Sequence, residues 1–230
     1  MSTPALHLDT CFVRDEHGRI LRSREPDSYH GSWFFISRSM HATAWAVHAA
    51  ISDATAQELD RLARQEPPSR DLREPPVHAE RYLALIAHER GADAVQTVSG
   101  PAFVFPERIE PVSGIVEIHD EAALNHHLKG WLPGEIAAGR APVMAVVEDG
   151  FAVSACCCAR LTDKDAEAGL DTAEAFRRRG FAVRVTAAWA LAIRASGRVP
   201  RYGTAWTNEA SLGVARKLGL IQYAVDWRVT

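Results

Sequence analysis

The sequence predicts a mixed α/β (α+β) fold in two parts, and three observations carry that prediction. The chain has 230 residues, 47% hydrophobic and 24% charged, the balance of a globular chain long enough to bury a large core. Short apolar runs bounded by Gly and Pro alternate with stretches of helical spacing. From Gly114 onward the elements read β-α-β-β-β-α-β-α-β, whereas the residues before that point mix strands and helices. The proline-rich connection "GPAFVFPERIEPVSG" separates the two parts. The domain boundary is expected inside it, giving an α+β segment at 1–105 and a second domain at 106–230.

The elements follow in order. "TCFVRDEHGRILR" predicts two short strands around the turn Glu16-His17-Gly18, and "SWFFIS" another strand. "SDATAQELDRLARQE" predicts a helix capped by Ser52 or Asp53, with Leu59, Leu62 and Ala63 on one face. "PPSRDLREPP" reads as a loop, and "VHAERYLALIAHER" as a helix stopping near Gly91. "GIVEIH" is expected to be a strand, and "EAALNHHLKGWLPGEIAAG" to be helical with a break near Pro133. "PVMAVVED" and "FAVSACCCAR" are expected to form a hairpin through Asp149-Gly150. "AEAGLDT" predicts the next strand, and "GFAVRVTAAWALAIRASG" a long helix ending at Gly197. The chain closes with a strand at "RYGTAW", a helix from the Asn208 cap to the Gly219 stop, and a strand at "IQYAVDWRV".

Charge and cysteine content narrow the function classes. A net charge of −3 gives no general pull toward nucleic acid or an anionic membrane, so any basic site must be local. No run of 18 apolar residues exists, so no membrane span is expected. The N-terminus lacks the basic start and apolar core of a secretory signal. Cys156, Cys157 and Cys158 are consecutive in an apolar strand, a spacing that suits neither disulfides nor zinc. They are expected to be small core residues in a reducing, cytoplasmic setting.

The stretch "AFRRRGFAVR" holds four arginines and one glycine. It is open to three readings: a solvated helix start, a basic patch for nucleic acid, or an anion pocket. The helix that begins at Gly180 has two apolar stripes, one with Phe181, Val185 and Trp189, the other with Val183, Ala187 and Leu191. Such a helix is buried. Its first turn carries unpaired N–H groups and the positive end of the helix dipole, where a phosphate fits. Gly180 and Ala182 leave room for close approach, and arginines beside the turn can hold phosphate oxygens.

Arg177-x-x-Gly180-x-Ala182 resembles the Arg/Gln-x-x-Gly-x-Gly/Ala signature of the GNAT superfamily of acyl-CoA N-acyltransferases. The downstream "NEASLGVARKLGL" is similar to the Asn-x-x-Ser/Ala helix and Lys-x-Gly-Phe/Leu ending of that family. The resemblance covers about Gly114 to Thr230. It implies a mixed, mostly antiparallel sheet flanked by helices, with acetyl-CoA as co-substrate and no metal. It assigns the pyrophosphate to Arg177, Arg178, Arg179, Gly180, Phe181 and Ala182, and the pantetheine arm to Leu170, Asp171 and Thr172. Asn208 matches the family asparagine near the cofactor, and Ser211 the small or hydroxyl position after it.

The implied reaction is attack by an amine, on a small molecule or a protein, within a ternary complex. A backbone N–H at the strand end would stabilise the oxyanion. Many members carry a tyrosine seven residues after the asparagine as acid for the thiolate. This chain has Ala215 there. Tyr202 and Tyr223 are the candidate substitutes, and Glu167 is the candidate base. Direct thiolate release to solvent is an equal alternative. A non-catalytic CoA-binding or sensing module and a nucleic-acid-binding protein are the rival functions. Residues 1–105 carry no chemical motif, and could cover the sheet, shape the acceptor cleft or form a homodimer contact.

Other polar residues have plainer expectations. His126 and His127 point different ways on a helix and suit no metal, and His78 and His88 lack an H-E-x-x-H pattern. Trp189 is expected in the core, and Trp206 to pack at a strand end.

Overall fold

The computed structural model of the chain describes residues 3–25, 31–69 and 71–230. Met1 and Ser2 of the N-terminal stretch, and Arg70 of the expected "PPSRDLREPP" loop, lie outside them. In chain order the elements are α1 (Pro4–Cys11), β1 (Phe12–Arg14), β2 (Ile20–Ser23), β3 (Phe34–Arg38), β4 (Thr43–Val47), α2 (Asp53–Ala63), α3 (Ala79–Arg90) and β5 (Thr97–Val104). They continue as β6 (Val116–Glu117), β7 (Met144–Glu148), β8 (Phe151–Leu161), β9 (Asp165–Thr172), α4 (Phe181–Ala195), β10 (Val199–Gly203), α5 (Glu209–Lys217) and β11 (Ile221–Val229). The class is the expected mixed α+β, with mostly antiparallel strands and helices packed on them. Among the described residues no helix is long and apolar enough to cross a membrane.

The chain divides into two compact, interleaved units. The first comprises Met1–Phe103, Gly203–Asn208 and Gln222–Thr230, and the second Val104–Tyr202 and Glu209–Ile221.

In the first unit the strand order is β4-β3-β11-β5. β3 runs antiparallel to both β4 and β11. Every residue of β3 is buried, because both of its faces are covered. Phe34 and Ile36 pack with Leu59, Leu62, Tyr82 and Ile86 from α2 and α3. Phe35, pointing the other way, packs with Leu8, Phe12 and Ile20. The Ser52 hydroxyl caps α2 by accepting the Thr55 N–H, as the sequence predicts. A buried carboxylate ties the next loop down: Glu66 accepts the N–H groups of Val77 and His78, at 3.0 and 2.9 Å, and the Tyr82 hydroxyl at 3.0 Å. The buried Arg38 lies 4.0 Å from the same carboxylate.

Three elements of this unit are not foreseen. Thr3 and Pro4 start α1 by side-chain capping and a preset φ, in only eight residues. β4 is an edge strand, half-buried from Thr43 to Trp45 and buried at Ala46 and Val47. β5 (Thr97–Val104) runs into the stretch expected to be a connection, where Gly100-Pro101 imitates a turn. Its Pro101 instead uses its carbonyl, which accepts the Thr204 N–H at 3.3 Å.

In the second unit the strand order is β10-β9-β8-β7-β6, antiparallel except for the pair β9–β10. The hairpin of β7 and β8 turns at Asp149 (φ 51°) and Gly150 (φ 84°), the positive values that a two-residue hairpin turn requires. α4 packs across β7, β8 and β9, with Trp189 fully buried. Alternation splits the three cysteines. Cys157 joins Leu124, Leu128 and Val143 on one face, while Cys156 and Cys158 lie beside Thr186 and Trp189 of α4. All three are buried.

The helix expected over "EAALNHHLKGWLPGEIAAG" does not form. Only a 3₁₀ turn at Glu121–Ala123 and a wide turn at Ile136–Arg140 are present. Side chains capture the backbone donors that a helix would need: Glu121 accepts the N–H groups of Gly134 and Ile136, at 2.6 and 2.7 Å, and Glu135 accepts that of Leu132 at 3.1 Å. Gly139 adopts φ 118°, outside helical geometry. The apolar spacing still serves, because Leu124 and Leu128 are buried.

Candidate functional site

The site begins where two parallel strands part. β9 pairs with β8 as far as Thr172, but with β10 only from Val199↔Asp165 to Arg201↔Glu167. Beyond Glu167, β9 continues with no β10 register partner among the described residues. Its ladder with β8 fixes which backbone groups face the opening. The Ala173 N–H donates toward β8, to the Val153 carbonyl at 3.0 Å, and the Ser154 hydroxyl donates to the Asp171 carbonyl from the same side at 3.2 Å. Ladder alternation therefore turns the N–H and C=O of Leu170 and Thr172 the other way, into the gap. Leu170, Asp171 and Thr172, expected beside a pantetheine arm, thus sit at the open edge. The Thr172 hydroxyl is held by Ser154 at 2.7 Å, a contact that the sequence does not announce.

β9 does not run straight into α4. A 3₁₀ turn at Glu174–Phe176 intervenes, and Arg177 turns back so that its Nε donates to the Thr172 carbonyl at 3.1 Å. Arg178 (φ 65°) and Gly180 (φ 79°) then take left-handed conformations, and these reverse the chain into the helix. Gly180 is the N-cap of α4, with no side-chain cap and no acidic residue in the first turn. A Cβ built on Gly180 would meet nothing within 4 Å. The glycine is required by its backbone angle, and the space around it is open. The first-turn N–H groups of Phe181 and Ala182 therefore have no cap, and the dipole end is uncompensated.

The arginine run is not a free basic patch. Arg177 is spent on Thr172. Arg179 reaches Glu148 at 3.5 Å and lies over the Phe176 ring at 4.9 Å. Arg184 donates to the Ser113 carbonyl. Arg178 is exposed, and among the described residues no hydrogen bond or ion pair engages it. The Phe176 ring also meets His127 edge-on at 5.2 Å, and His126 stacks on Phe151 at 4.2 Å. Contrary to expectation, the two histidines do not point different ways: they come from turns and not from a helix, and their rings meet edge-on at 4.4 Å.

The catalytic candidates fall in contrasting settings. Glu167 is buried on β9 and paired with Arg160 at 2.7 Å. Tyr202 is buried on β10, and its hydroxyl meets the Ser211 hydroxyl of α5 at 2.7 Å. Burial pushes the Tyr202 hydroxyl up to about 12, against a smaller opposing pull from Ser211. Ser211 thus sits with a predicted tyrosine. Ala215, on the same helix, is buried. Tyr223 and Asn208 belong to the first unit: Tyr223 meets the His7 ring edge-on at 6.0 Å, and Asn208 immediately precedes α5 and donates its N–H to the Ala205 carbonyl at 3.0 Å. The three cysteines offer no reactive thiolate, since burial raises Cys156 well above the ordinary range, Cys157 to about 12 and Cys158 to about 11.

Residues 143–225 match the family model for GNAT acetyltransferase. Among solved structures, the fold is similar to that of a GCN5-related N-acetyltransferase-like protein from Streptococcus suis, with TM-score 0.50 and 16% identity over 86% of this chain and 84% of that one. A Drosophila protein is similar at TM-score 0.51 and 14% identity, over 81% of this chain and 69% of that one. A GNAT-family acetyltransferase from Novosphingobium aromaticivorans shares 18% identity over 58% of this chain, which spans 64% of that protein's length, at TM-score 0.49. At these identities the likeness is one of fold. No curated protein matches the sequence.

Proposed function

Because residues 143–225 match the family model for GNAT acetyltransferase, we propose that the chain transfers an acetyl group from acetyl-CoA to an amine, on a small molecule or a protein, by direct attack in a ternary complex. One observation carries this most: β9 parts from β10 and leads, through the left-handed Gly180, to an uncapped helix N-terminus. That arrangement suits an elongated ligand ending in a pyrophosphate. The open space at Gly180 and the lack of acidic residues in the first turn of α4 fit a phosphate there. Arg178 through Ala182 would hold it, with Arg178 the side chain at liberty to pair with it.

Acetyl-CoA supplies the acetyl group as an activated thioester. The Leu170 backbone, facing the gap, would bind the extended arm, and its N–H would hold the charge that develops on the carbonyl oxygen. Holding both substrates in one cleft supplies much of the remaining rate. Tyr202 stays protonated at neutral pH and is the acid candidate that replaces the family tyrosine. Glu167 is weakened as a base candidate by its ion pair with Arg160. The amine proton then passes to water, and Tyr223 is the second candidate to protonate the leaving thiolate.

Ala215 and the occupied Glu167 also favour a second function, a CoA-binding module without turnover. Calorimetry with acetyl-CoA, followed by thiol release on a panel of amines and peptides, separates the two. Binding with turnover supports the transferase and binding without turnover the module. A folded protein with no affinity for acetyl-CoA refutes both. Salt-dependent binding to DNA or RNA would instead revive the nucleic-acid alternative, which the engaged arginines Arg177, Arg179 and Arg184 do not favour.

A further inference from the structure

Within the second unit, four charged residues meet on one face of the sheet where the β9–β10 register ends. Asp165 and Glu167 alternate along β9, and Glu167 stands in register with Arg201 of β10 and with Arg160 of β8. Arg201 Nη2 lies 3.1 Å from Asp165 Oδ1, and Arg160 Nη1 lies 2.7 Å from Glu167 Oε1. Asp165, Glu167 and Arg201 are buried, Arg201 to 1% exposure, and Arg160 is half-buried. The β8 ladder is interrupted to admit this row. Cys157 opposes Gly169 and Cys158 opposes Ala168, but Arg160 opposes Glu167, so Ala159 is an extra residue. Such a bulge re-aims the side chain that follows it. Without it, Arg160 would share the face of Cys158, toward α4, and not that of Glu167. The bulge also crowds the next position along that face: a Cβ on Gly169 would meet Cys157 Sγ at 3.1 Å and the Ala159 Cβ at 3.3 Å.

Buried ion pairs add little stability over apolar residues of the same size, because desolvation offsets their attraction; what they can supply is a single register. Register matters at this place. Toward α4, β9 offers Ala166, Ala168 and Leu170, the last two opposite Cys158 and Cys156. Burial alone would therefore tolerate a shift of β10 by two residues, which keeps every side chain on its face. Such a shift, of roughly 7 Å, would set Arg201 opposite Gly169, bring the β10 backbone to the Leu170 N–H and close the gap there. It would also leave Asp165 and Glu167 buried away from Arg201. We propose that Asp165 and Arg201 are positioning residues for the acyl-donor site: with Arg160 and Glu167 they lock the register of β8, β9 and β10, and so set where β9 and β10 part. This rests on the open β9 edge being the seat of the acyl-CoA arm, as proposed above. It gives Glu167 a task in the register and not in proton transfer.

The test is the double variant Asp165→Leu/Arg201→Met, which replaces the pair by apolar side chains. It is compared with wild type by melting temperature, by amide hydrogen exchange along β9 and by CoA affinity in calorimetry. The melting temperature should stay within a few degrees of wild type. The Leu170 amide, which faces the gap in the wild type, should exchange at least tenfold more slowly, because β10 now reaches it. CoA should bind at least tenfold more weakly. A loss of stability alone would speed exchange along β9 and would not slow Leu170. A double variant with wild-type exchange at Leu170, or with wild-type CoA affinity, overturns the proposal, and so does faster exchange along the whole of β9. If the double variant does not fold, Asp165→Asn, which removes the charge and keeps the shape, decides by the same two readouts and the same outcomes. The two failures are distinguishable. A wild type that binds no CoA refutes the donor-site reading and the positioning role with it. A wild type that binds CoA, beside a variant that binds it equally well, refutes the positioning role alone.

Discussion

Substitution of Gly180 separates the two reasons for a glycine at the helix start. Its φ of 79° lies in the left-handed region, and nothing stands within 4 Å of a built Cβ. Alanine there meets no clash but must hold an unfavourable backbone, at a cost of about 1–2 kcal/mol. A chain of this size loses roughly 2–4 °C of melting temperature per kcal/mol, so Gly180→Ala should melt a few degrees lower and remain folded at 25 °C. Asparagine tolerates the left-handed region better, so Gly180→Asn should recover much of that loss. CoA binding should not follow the same order. Both variants place a Cβ in the space proposed for the pyrophosphate, and Asn adds a side chain. Displacing one charge-assisted hydrogen bond costs about 1.5–3 kcal/mol, and each 1.4 kcal/mol is about tenfold in affinity. Both variants should therefore bind CoA at least about tenfold more weakly, with Asn no better than Ala despite its higher melting temperature. Differential scanning calorimetry and CoA titration on the same samples check this. If CoA affinity tracks melting temperature and recovers in Gly180→Asn, the open space is not the phosphate seat and the glycine serves the backbone alone.

Three further outcomes are expected. Glu66→Gln should cost about 3 kcal/mol in urea unfolding, because it leaves the buried Arg38 without its charge partner; a loss under about 0.5 kcal/mol would show that the carboxylate is not the loop's anchor. Burial alone would lower His7, but Asp226 at 2.7 Å, with Cys11 and Tyr223 beside it, more than offsets that, and the net shift is upward; the raised folded-state value means that this stabilisation is complete below about pH 6.5 and fades as pH rises through the folded value, so Asp226→Asn should flatten that slope in a pH series of melts. Tyr202 is raised in the folded state, so its contribution to stability should disappear between about pH 10 and about 12; Tyr202→Phe should also lower kcat if the hydroxyl protonates the thiolate, and an unchanged kcat would assign that proton to solvent.

The second unit was the more legible in the sequence, for a physical reason. Its strands β8 and β9 and its helix α4 are long, and Asp149-Gly150, Gly180 and Gly197 punctuate the unit. The expected helix over 121–139 failed because periodicity reports only which residues are buried. Leu124 and Leu128 are buried as a helix would bury them, yet Glu121 and Glu135 satisfy the backbone from outside the helical pattern. The phosphate turn was visible through its glycine, but its left-handed Arg178 was not, since arginine carries no local signal for that conformation. Tertiary pairings were the least legible. Nothing in the local pattern couples Tyr202 to Ser211 or Glu167 to Arg160, and Gly100 reads as a turn until Thr204 is placed against it.

The order β4-β3-β11-β5 has a consequence for synthesis. β3 and β5 are made well before β11, which lies between them in the sheet and follows β1–β10 in chain order. The N-terminal sheet must therefore wait, with the apolar faces around Phe34 and Ile36 formed but the neighbouring strand missing. Exposed strand edges of that kind are what chaperones cover and what aggregation exploits. During translation this chain should depend on such protection until Val225–Val229 arrive, and removing those residues should leave the N-terminal segment insoluble and not merely inactive.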